Sequence, residues 1–478
     1  MHTDHPTGSA FRFFRNSNAV IYSGLEGKSG ADREIFALRL PGEVIYVVTN
    51  PKHVGEVYKN TKDLVFDTFI EDLMLSCGTS KEAAAKSSKQ PPPYPSMKEV
   101  SHSNPERKSI INLAIDFHHI QLIPSKDSDY TAQISARFMA EIEESLKWDN
   151  LLKAWGCPPD SEYIDTSLLH WAGDVLVKVG TKAYWGDRLW DTADDLLDSF
   201  YKFDRSIWKL LFHYPRLLSR DAIFPRDRII EIMTKYFEIP QQERTDSAWF
   251  TKAMETEWRL IGLSERDMAA STLILFFVIN GNTYKLCFWV LSHILTNPDL
   301  LNSVTTEVRS GTEKTSSPSL VHLTKNCPIL NSVLQEVFRL YTSSASMRFI
   351  AEDTVVSGKM LRKGHKVMIP YRQLHEDPSA WGDDSLHFRP ERWLKNAALK
   401  RNPSFRPFGG GATLCAGRNI AQHEVLSFVG LVLSKYKIEV LDVEGGNQHF
   451  PRVDELKPTL GMMSPVLGDD CKVRICQR

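Results

Sequence analysis

The sequence predicts a mainly α-helical protein that also carries small β sheets. Residues 109–236 space their Trp, Leu and Phe residues in a mostly helical pattern. Residues 264–295 form the clearest single helical stretch, and Ser264 is a suitable residue to cap its N-terminus. Two runs rich in β-forming residues, 35–40 and 43–49, predict strands near the N-terminus.

Composition limits the classes of protein that need to be considered. The chain has 478 residues, of which 42% are hydrophobic and 24% charged, so it can bury a large core. Length alone allows two or three domains or one large helical enzyme. The formal net charge of −1 gives no reason to expect nucleic-acid binding. Seven widely scattered cysteines favour a reducing compartment and argue against a disulfide framework or a zinc cluster.

The N-terminal part predicts a hairpin and a polar loop. Residues 1–34 contain no apolar run long enough for a signal peptide or a membrane span. Pro41-Gly42 separates the two β-rich runs and predicts a hairpin turn. Residues 78–108 are polar and rich in turn formers, so we expect a mobile surface loop there.

The helical stretch that follows contains few residues that indicate chemistry. Pro215 and Pro225 predict breaks within it. Aromatic residues at helical spacing usually belong to a core, so Trp208, Phe212 and Tyr214 are only weak candidates for lining a pocket.

Residues 264–295 predict one continuous helix through the core. The stretch is apolar on all sides, which is typical of a buried helix. Its most apolar run, 268–280, is too short to span a bilayer. The Asn-Gly-Asn-Thr sequence within it, residues 280–283, is either a tolerated irregularity that costs about 1 kcal/mol for its glycine or a functional site.

Charged residues in the C-terminal half have plain interpretations when taken singly. Glu336 and Arg339 share a helix face, as many surface ion pairs do. His375 has no second ligand at metal spacing and is interpreted as structural. A basic cluster is usually a solvated face, and one precedes Cys415 at Lys395, Lys400, Arg401 and Arg406.

The stretch FRPFGGGATLCAGRNIAQHE, residues 405–424, carries the strongest chemical signal. Glycines 409–411 allow positive φ angles and close approach to a flat ligand. Apolar spacing predicts a helix after Cys415, and the N-terminus of that helix would lower the pKa of the thiol. A buried apolar cysteine is the plain alternative. A phosphate-binding loop would need a following Lys-Ser/Thr, which the stretch lacks.

The pattern Phe408-x-x-Gly411-x-x-x-Cys415-x-Gly417 resembles the haem-ligand signature of the cytochrome P450 superfamily. The resemblance implies one triangular, mainly helical domain over residues 35–478 that encloses haem b, with residues 1–34 preceding it. Cys415 would be the axial thiolate ligand of the iron, with Phe408 beside its sulfur and Gly417 passing close to the porphyrin. Many members have Arg or His where Thr413 stands. The sequence PFGGGATLCAGR is most similar to the branch of sterol 7α-hydroxylases and prostacyclin synthases.

The same resemblance assigns further residues. Thr283 would help to deliver protons, and Asn282 replaces the usual acid, so a water chain ordered by both side chains could serve instead. Arg348 would pair with a haem propionate. Glu336, Arg339 and Arg392 would form a structural triad. The resemblance implies that the substrate pocket is lined by Phe277, Gly281, Ser344, Ala345 and Met462, the last of these in a C-terminal strand pair that begins near residue 456.

The function implied by the resemblance is monooxygenation of a bulky apolar substrate such as a steroid, terpenoid or other natural product. O₂ and an NADPH-cytochrome P450 reductase would be the partners, and the basic cluster would dock the reductase. Two alternatives stay open: an isomerase or dehydratase resembling prostacyclin synthase, and a haem protein that only binds a ligand. Family members of eukaryotes usually begin with a membrane anchor. Because residues 1–34 contain no such anchor, we expect either a truncated chain or a protein with peripheral membrane contact, at the endoplasmic reticulum surface or in the cytoplasm. We also expect a monomer.

Overall fold

Helices make up most of the chain in the computed structural model. The structure describes residues 12–29, 32–40, 43–94, 104–312, 317–441, 443–444 and 447–478. The α-helices are α1 (Ser17–Gly24), α2 (Pro51–Lys59), α3 (Asp67–Ser76), α4 (Lys81–Ser88), α5 (Ile110–Leu122), α6 (Tyr130–Ser145), α7 (Trp148–Ala154), α8 (Leu168–Trp185), α9 (Asp187–Trp190), α10 (Leu196–Ser206), α11 (Trp208–Leu211), α12 (Arg220–Glu238), α13 (Trp249–Leu260), α14 (Glu265–Asn280), α15 (Thr283–Leu295), α16 (Pro298–Ser310), α17 (Leu320–Lys325), α18 (Pro328–Tyr341), α19 (Tyr371–His375), α20 (Pro378–Trp381), α21 (Glu391–Lys395) and α22 (Arg418–Lys435).

The strands form small sheets, as the sequence predicts. They are β1 (Phe36–Leu40), β2 (Glu43–Val47), β3 (Leu64–Val65), β4 (Tyr163–Ser167), β5 (Ala345–Ile350), β6 (Thr354–Val356), β7 (Lys359–Leu361), β8 (Lys366–Pro370), β9 (Tyr436–Val440), β10 (Val443–Glu444), β11 (Asn447–Gln448) and β12 (Lys472–Gln477). The largest sheet has the order β1-β2-β8-β5-β3. In it β1 and β2 pair antiparallel, with Phe36 opposite Val47, which confirms the predicted strand pair. The predicted turn at 41–42 lies outside the described residues.

The apolar segment of residues 265–295 lies in the centre of the helical core. Its second half, α15, packs against α8, α18 and α22, and its side chains are buried on all faces. By length and composition the segment could also cross a membrane, but 67% of its most apolar window is buried inside the protein. The prediction of a buried core helix is therefore confirmed.

The prediction that this core helix is continuous is wrong. The helix ends at Asn280 and restarts at Thr283, so α14 and α15 are separated by Gly281 and Asn282. Asn282 has φ −120° and ψ −41°, outside the usual helical range. Glycine and asparagine are poor helix formers, and the Asn282 side chain bonds to a distant part of the chain instead of capping α15.

Pro225 does not interrupt a helix, contrary to the prediction. It lies inside α12, where its ring is buried. A proline has no N–H, so the carbonyl of Asp221, four residues earlier, loses its helical donor. The hydroxyl of Ser206 on α10 donates to that carbonyl at 2.9 Å. A tertiary contact thus supplies the missing hydrogen bond, which the local sequence could not reveal.

Two further predictions differ from the structure. Residues 81–88 of the predicted polar loop form helix α4, which Ser80 caps and in which Ala83 and Ala84 are buried. Residues 95–103 of the same loop lie outside the described residues. At the C-terminus, residues 456–470 form isolated bridges rather than a strand pair, one of them between Thr342 and Met462. Strand β12 pairs instead with β4 and β9, because its partners come from distant parts of the chain.

Candidate functional site

Cys415 lies at the end of a closed loop, three residues before α22. Its backbone N–H donates to the carbonyl of Phe408 at 3.0 Å, which ties the two ends of the loop together. The Phe408 ring packs edge-on against Phe338 of α18, with ring centres 4.9 Å apart. Gly417 is the N-cap of α22, and a Cβ there would lie 3.8 Å from the Cys415 sulfur. The loop therefore presents the thiol from a rigid base.

The glycines of this loop do approach a flat ring, but that ring belongs to the protein. Gly409 and Gly411 have positive φ angles of +77° and +61°, which favour glycine. A Cβ at Gly410 or Gly411 would lie 2.9 Å from the ring of Tyr58 on α2. Space for the Tyr58 ring therefore explains glycine at both positions.

The Cys415 side chain is exposed at its surface, although protein atoms surround the thiol closely enough to remove part of its hydration. Loss of water to the surrounding protein nevertheless raises the pKa of the thiol, and the N–H groups of Gly417 and Arg418 offset this only in part. The prediction of a lowered pKa is thus wrong for the free thiol, because desolvation outweighs the helix N-terminus.

Arg348 on β5 carries a buried charge close to this loop. Its Nη2 donates to the hydroxyl of Thr413 at 2.5 Å, and its Nη1 donates to Ser346 Oγ at 2.9 Å and to the Met347 carbonyl at 2.7 Å. Burial lowers the pKa of Arg348. No carboxylate among the described residues pairs with it, although buried charges usually have a counter-ion. A buried guanidinium without a counter-ion fits an anionic group such as a haem propionate, and the open thiol fits the iron.

Thr283 contacts a carboxyl group that sequence reasoning missed. Its Oγ1 donates to Oε1 of Glu424 on α22 at 3.3 Å, and both side chains are buried. Burial raises the pKa of Glu424 to about 8, so the carboxyl is mostly protonated at neutral pH. Glu424 stands four residues after the buried Ile420, and this helical spacing could have placed it on the buried face.

Asn282 and Thr283 are adjacent in sequence, but their side chains point to different partners. The Asn282 Oδ1 accepts a hydrogen bond from the backbone N–H of Met462 at 2.9 Å. Thr283 faces α22 instead. The structure therefore does not bring these two side chains together around a shared group.

A cavity of about 320 Å³ lies between α10, the helix break and residues 454–470. Of the residues predicted for the pocket, Phe277 and Met462 line it, and so do Asn282 and Trp208. Gly281 lies directly beside Phe277, because a Cβ there would be 2.8 Å from the Phe277 carbonyl oxygen.

Other predicted pocket residues lie elsewhere. Ser344 and Ala345 are not in the lining of this cavity, and the Ser344 carbonyl accepts from Tyr371 N–H at 3.0 Å. The rings of Phe212 and Tyr214 pack against the N-terminal segment, where their centres lie 5.4 Å from that of Phe13 and 5.2 Å from that of Phe14.

Glu336, Arg339 and Arg392 form one buried cluster under the cysteine loop. Glu336 Oε1 accepts from Arg339 Nη2 at 2.7 Å and from Arg392 Nε at 3.1 Å. The indole of Trp393 donates to the other oxygen of Glu336 at 2.8 Å. Arg339 also donates to the carbonyls of Ser385, His375 and His387. Arg392 also pairs with Asp384 at 3.2 Å, so the two arginines face two carboxylates and each charge has a partner.

His375 links this cluster to the loop. Its carbonyl accepts from Arg339, and its Nε2 accepts from the backbone N–H of Arg406 at 2.8 Å. Burial lowers the pKa of His375 to about 3, so the ring is neutral. Nearby, the basic cluster of Lys395, Lys400, Arg401 and Arg406 makes no ion pair with any residue that the structure describes.

Comparisons with known proteins bear on this site. The sequence profile of the cytochrome P450 family matches residues 194–462. The chain is 25% identical over 447 residues to the cytochrome P450 monooxygenase poxD of Penicillium oxalicum, covering 91% of this chain and 86% of that protein. It is also 25% identical over 295 residues to a cytochrome P450 monooxygenase of Gibberella zeae, covering 58% of this chain and 56% of that protein. A cholesterol 7-alpha-monooxygenase of Cricetulus griseus is 25% identical over 302 residues, with 58% of this chain and 59% of that protein covered. The names of these relatives support an oxidoreductase that incorporates oxygen.

Proposed function

Because the chain belongs to the cytochrome P450 family, we propose that it is a haem-thiolate monooxygenase that hydroxylates or oxidises a bulky apolar substrate. A steroid, a terpenoid or another natural product is the expected class. The observation that carries the proposal is the exposed Cys415 thiol on the loop whose Thr413 binds Arg348, a buried guanidinium that pairs with no carboxylate of the described residues. The fungal P450 monooxygenases among the relatives support the same reaction.

Haem b is the cofactor that these residues would hold. Cys415 would supply the thiolate that binds the iron, and Arg348, oriented by Thr413, would hold a propionate. Phe408 ties the cysteine loop together, and the small residues Gly411 and Gly417 let that loop fold closely. When bound, haem with a thiolate ligand supplies the iron chemistry that activates O₂.

Thr283 and Glu424 would hold and move protons. At neutral pH the raised pKa keeps a proton on the Glu424 carboxyl, one hydrogen bond from Thr283 Oγ1. A carboxyl and a hydroxyl so placed can pass a proton along a hydrogen bond. Asn282 would contribute less to this route, because its amide oxygen is already engaged by Met462.

The substrate would meet Phe277 and Met462, which line the cavity. The cavity of about 320 Å³ is within the range of ligand sites in proteins. Its apolar lining residues, among them Ile207, Trp208 and Leu467, would contact an apolar molecule. The lining also contains charged residues, and two of these, Asp204 and Lys285, pair with each other. Gly281, Ser344 and Ala345, which lie outside this lining, remain proposed pocket residues on the strength of the sequence resemblance.

Electrons would arrive from an NADPH-dependent reductase at the basic cluster. Lys395, Lys400 and Arg401 are exposed, and unpaired positive charges attract an acidic partner by long-range steering. The alternative, an isomerase without O₂ or reductase, draws support from Asn282, since the central helix carries no carboxylate at that position.

A membrane surface is a further proposed contact. Leu217, Leu218 and Phe224 expose 80%, 59% and 66% of their surface, and Arg216 and Arg220 flank them in the sequence. Exposed apolar side chains beside basic residues are typical of a surface that binds lipid headgroups and acyl chains. This supports a peripheral location at the endoplasmic reticulum surface.

The test uses the haem-loaded protein and its Cys415→Ala variant. We expect the reduced carbon monoxide complex of the wild type to show the absorption band of a thiolate ligand, and the variant to lose it completely. Cys157→Ala, at a half-buried cysteine outside the site, should keep the band. Retention of the band in Cys415→Ala would refute the ligand assignment. Substrate turnover without NADPH and reductase would favour the isomerase.

A further inference from the structure

The two-residue break in the central helix is joined to the C-terminal part of the chain by one side chain. Asn282 Oδ1 accepts from the Met462 backbone N–H at 2.9 Å. Because a backbone N–H can only donate, the amide oxygen must face Met462. The amide also fills the space beside Gly461, where a Cβ would lie 1.8 Å from Asn282 Oδ1. Gly461 does not have a positive φ, so space alone explains glycine there.

The opposite side of the same turn is fastened to the segment after α18. Ser343 N–H donates to the Gly461 carbonyl, and Met463 N–H donates to the Tyr341 carbonyl, both at 2.9 Å. The indole of Trp289 on α15 holds the Met463 carbonyl at 2.8 Å. These bonds attach the turn at Gly461 and Met463, while the Met462 N–H is held by Asn282.

The turn and the helix break together form one wall of the cavity described above. Asn282, Gly461 and Met462 all line it, as do Trp208 and Ile207. A shift of the turn would change the shape of this wall directly. The hydrogen bond from Met462 to Asn282 therefore controls the geometry that a ligand meets.

We infer that Asn282 is a positioning residue that fixes the turn of Gly461 and Met462 against the helix break and so sets the shape of the cavity wall. This inference rests on the proposed function, because it assigns the cavity to that site. It gives Asn282 a role separate from proton transfer, which the contact between Thr283 and Glu424 serves. The role requires a hydrogen-bond acceptor at position 282 and a residue without a side chain at position 461.

The first test compares two iron-binding probes on the haem-loaded enzyme. Imidazole is small and reports only access to the haem, whereas the bulky clotrimazole would also extend into the cavity that the proposed function assigns to the substrate. We expect Asn282→Ala to weaken clotrimazole about fivefold, the effect of losing one hydrogen bond, and to leave imidazole within about twofold of wild type. Asn282→Asp keeps an acceptor for Met462 and should stay near wild type for both probes.

The outcomes of this test separate the two claims. Asn302→Ala, at an exposed asparagine of α16, is the matched control and should change neither probe. If Asn282→Ala leaves clotrimazole unchanged, or weakens both probes equally, the inference is overturned while the haem site stands. If the wild type binds neither imidazole nor carbon monoxide at a thiolate-ligated haem, the proposed function fails, and the inference fails with it.

The second test needs no ligand. Gly461→Ala places a methyl group against the Asn282 amide, and overpacking of this kind should lower the melting temperature by about 2–4 °C. Asn282→Ala removes the obstructing amide, so the double variant Asn282→Ala/Gly461→Ala should be more stable than the sum of the single changes indicates. Strictly additive shifts in melting temperature would contradict the contact.

Discussion

Arg339 and Arg348 are both buried arginines near the cysteine loop, but their surroundings are opposite. Arg339 pairs with Glu336 and donates to three backbone carbonyls. Arg348 donates to two hydroxyls and one carbonyl and pairs with no carboxylate of the described residues. A buried charge costs several kcal/mol unless it is paired. The closed cluster around Arg339 therefore belongs to the fold, whereas Arg348 is suited to an anion from outside the chain.

Breaking the closed cluster should have the largest effect. Glu336→Gln leaves Arg339 without a carboxylate partner among the described residues and Arg392 with Asp384 alone, so buried positive charge loses its compensation. We expect a loss of about 3–5 kcal/mol in the free energy of unfolding, measured by urea denaturation. Glu391→Gln, at an exposed glutamate beside Arg392, is the matched control and should change stability by less than about 0.5 kcal/mol. Similar losses in both variants would contradict the distinction between the two sites.

Glu424 sharpens the comparison, because it is a buried carboxyl whose hydrogen-bond partner is the neutral Thr283. Its pKa of about 8 exceeds the ordinary value of 4.5, so between these values the native state keeps a proton that the unfolded state releases. The free energy of unfolding of the wild type should therefore fall, relative to Glu424→Gln, as pH rises from about 5 to 8, by at most about 1.4 kcal/mol per pH unit.

Urea unfolding of both proteins across that pH range checks this prediction. Glu439→Gln, at an exposed glutamate on β9, should run parallel to the wild type. If the curves of wild type and Glu424→Gln are parallel as well, Glu424 is ionised in the native state at neutral pH.

Removal of the Arg348 charge should affect the binding of haem more than the stability of the fold. Arg348→Met deletes a buried guanidinium that pairs with no carboxylate of the described residues, so the free energy of unfolding should not fall by the amount expected for Glu336→Gln. Loss of a charged hydrogen bond should speed haem release about 10- to 100-fold, measured by transfer of haem to apomyoglobin. Arg362→Met, at an exposed arginine, is the control. Haem release as slow as in this control would remove Arg348 from the cofactor site.

The smallest expected effect concerns Thr413, which stands where many family members have Arg or His. Thr413→Val keeps the side-chain volume but removes the acceptor for Arg348, so haem release should become about fivefold faster. Thr413→Ser should restore most of the wild-type rate. Thr234→Val, which removes a hydroxyl within α12, should have no effect. Equal rates in the valine and serine variants would show that the hydroxyl does not orient Arg348.

Local patterns in the sequence predicted much of the architecture. Apolar periodicity identified the buried central segment, and the β-rich runs predicted the pairing of β1 with β2, because both signals depend on neighbouring residues. The ordered positions of Glu336, Arg339, Arg392 and Cys415 led to the family before any contact was known. The weak helix formers Gly281 and Asn282 allow either a tolerated irregularity or a functional site, and the sequence does not predict that the helix ends there.

Tertiary contacts decided the rest. The sequence by itself determined which residue types stand in the cysteine loop, the central segment and the charged helix, and hence the family. Only the folded chain decided that the loop glycines accommodate Tyr58, that Ser206 replaces the hydrogen bond lost at Pro225, and that Glu424 faces Thr283. These contacts join residues far apart in sequence, and burial, which sets the pKa of Glu424 and of the Cys415 thiol, depends on all the elements that pack around each group.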